Sequence, residues 1–164
     1  MAKAKKTKTG QQRLKIGLND ERLPKLFGLL LIFIAAYLTI AFVSYLFTWR
    51  IDQDRVLRFS WTLLGYSDLT VENWLGRLGA FLASFFMYFG FGLPSFLLAL
   101  YLYRLGMNRL RRQPSGPMGA EFVRTFFLVV GLSVLLEFTL GIMEFPVGGA
   151  VGARAVAAEE HERR

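Results

Sequence analysis

Glu137 is the residue with most chemical promise in this chain, because it is a carboxylate set within an apolar run. It follows Thr125 by twelve residues and precedes Phe145 by eight, close to the middle of that run. An acid at mid-membrane depth is expensive when ionised, and such acids often mark proton or ion pathways. No Lys or Arg falls within any of the apolar runs to pair with it. The alternatives are a protonated side chain, or one hydrogen-bonded to Ser133, Thr139 or a neighbouring subunit. Glu144 lies near the outer end of the run, where it reaches water.

Other reactive groupings are missing from the sequence. No Gly-Lys-Ser/Thr triplet is present, so no phosphate-cradling loop is expected. His161 is the single histidine, in a charged tail, which excludes a His-based metal site or a triad. Cysteine is absent, removing disulfide, thiolate-metal and thiol-redox chemistry. No catalytic residue, metal or cofactor is expected, and the chain is read as a non-enzyme.

The elements that position Glu137 are three apolar runs, Leu26–Trp49, Leu78–Tyr103 and Thr125–Phe145. As helices each would reach roughly 30 Å or more, enough to cross the hydrocarbon core of a bilayer. A backbone in lipid must satisfy its own hydrogen bonds, so these runs must be helical. The fold class is all-α, a polytopic membrane bundle of three transmembrane helices. Residues 1–25 form a basic, disordered arm, 26–145 the membrane domain, and 146–164 a polar tail. The 54% hydrophobic content and mean hydropathy of +0.38 agree with a membrane class. The first run is too long for a cleavable signal core and reads as an uncleaved anchor.

The formal charge of +8 could suggest nucleic acid, but its placement argues for orientation instead. Eight of the twenty Lys and Arg residues precede the first run, and Arg104, Arg109, Arg111, Arg112 and Arg124 flank the second connection. Arg50, Arg55, Arg58 and Arg77 of the first connection are offset by Asp52, Asp54, Asp68 and Glu72. The Lys/Arg bias predicts the N-terminus and second connection in the cytoplasm, with the first connection and tail outside. Phe59–Tyr66 is too short to span and is expected along the outer interface. Ser67-Asp68 and Thr70–Asn73 offer helix-capping chemistry before the second run. The arginines of the second connection suit anionic headgroups.

Gly76, Ala80 and Ser84 recur every four residues in the second run, with Gly79 and Ala83 beside them. Small residues at this spacing predict a close helix-packing interface. Gly90, Gly92 and Pro94 follow; Pro94 cannot donate to the carbonyl four residues back, so a kink near Gly90 is predicted. It reads either as a hinge or site at a broken helix, or as a static kink.

Three stretches are recognisable together: Asn73–Ala80, Phe89–Leu97 and Gly148–Gly152. They resemble the N-terminal membrane domain of FtsK/SpoIIIE DNA translocases, in a style similar to the Bacteroidetes branch, over roughly residues 20–152. The resemblance implies a four-helix module at the division septum of the inner membrane. Such a module anchors and oligomerises a cytoplasmic DNA-pumping ATPase and couples division to chromosome segregation. Gly76, Gly79 and Ala80 match the family's small-residue stripe. Gly148, Gly149 and Gly152 match the turn that leads into its fourth helix. After Gly152 this sequence departs into Ala153–Arg164, with no fourth apolar run and no motor. The chain is therefore expected to be a fragment, a frameshifted or split product, or a short paralogue.

The leading functional reading is a membrane-anchoring and oligomerisation module lacking the ATPase. Its expected partners are the lipid bilayer, further copies of itself or other division-site membrane proteins, with no direct nucleic-acid contact. The alternative is a small transport or channel subunit using Glu137 and the kinked second helix.

Overall fold

A computed structural model describes residues 22–56, 71–113, 117–141 and 145–162, and among these every regular element is helical. The basic arm before Arg22, the aromatic stretch 59–66, the Ser67-Asp68 capping pair and Glu144 lie outside the described residues.

Helix α1, Arg22–Val56, is the longest element and includes the first apolar run. It carries Pro24 in its first turn, where the missing N–H has no helical partner to lose. One face repeats at helical spacing as Leu31, Ala35, Leu38, Phe42 and Tyr45, and all five are buried. The opposite face stays bare: Phe33 is 66% and Phe47 is 75% exposed. Such a surface is at home in hydrocarbon rather than water. Thr39 and Thr48 donate to the carbonyls of Ala35 and Ser44 one turn back, so their hydroxyls are satisfied within the helix.

The second apolar run is interrupted near Gly90, where the sequence predicts a kink, and is divided into two parts. Helix α2, Gly76–Ala83, continues as a π-helical segment, Ser84–Phe91; helix α3, Ser95–Arg111, follows the break. The path turns through 117° between them. A bend this large gives a broken span or a re-entrant element, and the cause is local. Gly90 leaves helical geometry at φ −98°, ψ −118°, and Gly92 takes φ +68°. Pro94 then caps the start of α3, where a residue without an N–H loses no helical partner.

Helix α4, Met118–Leu140, opens earlier and closes earlier than the run Thr125–Phe145 suggests. Its bare face includes Phe127 and Phe138. Within the expected tail, Gly149–Glu162 forms helix α5. By length and composition, α1 and α4 can each cross a membrane, and the bent pair makes a third crossing if counted as one.

Two contacts set the directions. Gly28 of α1 meets Gly106 of α3, while Phe42 meets Phe96 at 5.4 Å, so α1 and α3 run antiparallel. Tyr101 of α3 lies 5.9 Å from Phe122, and its hydroxyl donates to the Met118 carbonyl at the start of α4. The core gathers Leu38, Ala41, Phe42 and Tyr45 of α1 around Ala83, Met87 and Ala99. The turn after α4 comes back to the far end of α1, with Phe145 edge-on to Trp49 at 5.6 Å.

Candidate functional site

Glu137, the glycine break and the glycine turn, which the sequence presents as three separate features, form one junction. Glu137 lies in the last turn of α4 rather than at mid-span, because the helix stops at Leu140. Its backbone carbonyl accepts from Gly141 N–H at 2.8 Å, closing the helix. Its side-chain Oε2 accepts from Gly148 N–H at 3.1 Å. Gly148 immediately precedes α5, so the carboxylate sits at the start of that helix, where backbone donors lack helical partners. One turn earlier on α4, buried Ser133 donates its hydroxyl to the Gly148 carbonyl. Both polar groups of Gly148 are therefore held by α4.

Glycine is required at this contact for space. A Cβ on Gly148 would press on the Ser133 carbonyl and lie 2.7 Å from the Glu137 Cβ. A Cβ on Gly152 would lie 3.0 Å from the same Cβ and press on the Ser133 carbonyl as well. Small residues let two helix backbones approach where dispersion contact is the main attraction.

The other side of the junction is the break at Gly90–Pro94. Leu93 N–H donates to Val147 C=O at 2.9 Å, tying the break to the turn before α5. Gly92 and Gly149 both hold positive φ, +68° and +61°. A side chain on Gly92 would collide with the Val147 carbonyl, and one on Gly149 with the Gly90 carbonyl. Within the break, fully buried Ser95 donates its hydroxyl to Phe86 C=O at 2.7 Å, supplying a partner that the interrupted helix cannot.

The small-residue stripe divides. Ala80, Ala83 and Ser84 are buried, with Ala83 in the core against α1. Gly79 packs against its own approach segment, where a Cβ would meet Asn73 Oδ1 and Leu75 Cβ. Gly76, the first residue of the stripe, lies at the start of α2. It has φ +65°, and no described residue comes within 4 Å of the place its side chain would take. Its role is a turn, since a period of four does not reveal where a helix begins.

Two further elements escaped the sequence reading. Asn73, expected as part of a capping stretch, accepts from Leu75 N–H through Oδ1 at 3.1 Å just before α2 and also reaches α1, where Nδ2 donates to Ala41 C=O at 3.1 Å. Beside it, Trp74 N–H donates to Ser44 Oγ at 2.9 Å. The second is the pair Gly28 and Gly106. A Cβ on Gly28 would lie 2.7 Å from the Gly106 carbonyl, and one on Gly106 would lie 2.6 Å from the Gly28 carbonyl. Each is a solitary glycine in its helix, so the available signal was weak: a residue unfavourable in helices, kept in two apolar segments.

Chemically the junction is a set of backbone hydrogen bonds closed by one carboxylate and two hydroxyls. Among the described residues, no group of three or more His, Cys, Asp or Glu side chains is arranged to hold a metal ion. All of its members fall within residues 20–160, which match the 4TM region of DNA translocase FtsK/SpoIIIE. The chain belongs to this family. No curated protein and no solved structure matches it. In this FtsK/SpoIIIE membrane region, the break and the turn that carried the sequence resemblance are the two halves of one contact.

Proposed function

We propose that this chain is the membrane-anchoring and oligomerisation module of an FtsK-type division and chromosome-segregation translocase, and that it hydrolyses no ATP itself. One observation carries the reading: Glu137, the acid that could serve a pathway, is engaged by Gly148 N–H at the start of α5. A carboxylate used to lock two helices, beside two interlocked glycine turns, suits a scaffold. The bare apolar faces of α1 and α4 suit lipid and further copies of the chain. The partners proposed are the bilayer, other copies and division-site membrane proteins, without direct contact to DNA.

The proposed setting is the bacterial inner membrane, with residues 1–25 in the cytoplasm and enrichment at the septum. Antiparallel α1, α3 and α4, with the Lys/Arg bias, support the first connection and the α4–α5 turn on the extracytoplasmic side. Arg154, Glu159, Glu160, Glu162, Arg163 and Arg164 make the tail too charged for hydrocarbon, which supports an external end.

An N-terminal fluorescent fusion in a related cell tests the role. Midcell enrichment, lost when residues 75–105 are deleted, is the expected result; a uniform membrane signal from both proteins refutes a division role. Phosphatase fused after Arg164 should be active, and a cytoplasmic reporter that fluoresces there instead refutes the orientation.

A further inference from the structure

Between α3 and α4, at the end away from the glycine junction, lies a cleft of about 310 Å³. Its lining changes character along its length. Along α3 the lining passes from Leu97 and Leu100 to Arg104 and Asn108, and α4 adds Glu121, Arg124 and Leu128. From Leu97 to Arg104 the helix rises about 10 Å, so the change falls within the depth of a headgroup and the first acyl carbons. We propose that this cleft binds the phosphate of an anionic phospholipid, with an acyl chain against the leucines.

Three observations support this occupant over a free anion. First, the two guanidinium groups come from facing helices, Arg104 from α3 and Arg124 from α4, so a phosphate between them bridges the pair. Guanidinium matches phosphate with paired, charge-assisted donors. Second, among the described residues of the lining Glu121 is the one acid against Arg104 and Arg124, so the site keeps a positive excess. Arg109 and Arg111 continue the positive end in the last turn of α3, beyond the cleft lining. Third, the apolar end would be wasted on inorganic phosphate but provides a surface for a chain entering from the bilayer. Basic pockets between membrane helices are a recurrent way of holding anionic headgroups.

The test uses the full chain in a mild non-denaturing detergent, with bound lipid read by native mass spectrometry. Phosphatidylglycerol is the probe, phosphatidylcholine the zwitterionic comparison, and inorganic phosphate the competitor. The expected result is selective retention of phosphatidylglycerol that inorganic phosphate does not displace. The double substitution Arg104→Gln with Arg124→Gln should lower its occupancy about tenfold, and Arg154→Gln, in α5 away from the cleft lining, should leave it unchanged. Glu121→Gln should raise occupancy, a gain that a damaged fold does not produce. Equal retention of the two lipids, displacement by inorganic phosphate, or a double variant that binds like the parent would each overturn the proposal. So would unchanged or reduced occupancy in Glu121→Gln.

Discussion

Gly28 and Gly106 face each other across the α1–α3 contact, each occupying the space that a Cβ on the other helix would need. The two backbones therefore touch at one point without intervening side chains. This contact holds the ends of α1 and α3 together on the side opposite the glycine junction.

Gly106→Ile should separate these helices at that point. Overpacking of this kind destabilises by about 1–3 kcal/mol, to be measured by denaturant titration in detergent micelles. Gly131→Ala is the control, because its position faces open space; it should be neutral or slightly stabilising.

Gly92→Ala should be among the most damaging single-methyl changes in the chain. It combines a positive φ with a collision against the Val147 carbonyl. The expected outcome is a loss of about 2 kcal/mol or more. Protease sensitivity of the segment around Pro146 should rise, because that segment loses the Leu93 hydrogen bond. Equal resistance in parent and variant would show that the two turns are not coupled.

At Glu137 the amide and the hydrocarbon substitutions should part company. Glu137→Gln keeps an oxygen to accept from Gly148 N–H and should preserve the fold. Glu137→Leu leaves that N–H without its partner, at a cost of about 1–3 kcal/mol. Vesicles reconstituted with the parent chain should show no proton or ion flux. A flux abolished by Glu137→Gln would replace the scaffold reading with a transport one.

Asn73→Ala should loosen the start of α2 from α1, since both ends of one amide are used there. The expected cost is about 1–3 kcal/mol, the range for buried partners left unmade. Cysteines placed at Leu75 and Tyr37, whose hydroxyl lies 3.5 Å from the Leu75 carbonyl, should crosslink less efficiently in this variant.

The apolar runs, the break at Gly90–Pro94 and the turn at Gly148–Gly152 were legible because each is a local property of composition or backbone chemistry. That the break and the turn touch was not legible, since it depends on the paths of α3 and α4 between them. The place of Glu137 along its helix was not legible for a related reason. Hydropathy continues through Phe145, while the helix closes at Leu140. Gly76 shows the converse limit. The four-residue spacing is real, but its first member lies at the helix start with a positive φ, which the spacing does not reveal.

The hydrogen bond from Leu93 to Val147 also has an order in time. Synthesis produces the break in the second element first, then all of α3 and α4, and only afterwards the carbonyl that the break requires. Until Val147 emerges, Leu93 has a donor in an apolar surrounding with its ladder already interrupted. The bundle is thus latched by a segment made after both helices that it joins, and whatever detains the Phe145–Gly152 stretch elsewhere leaves the second element unlatched.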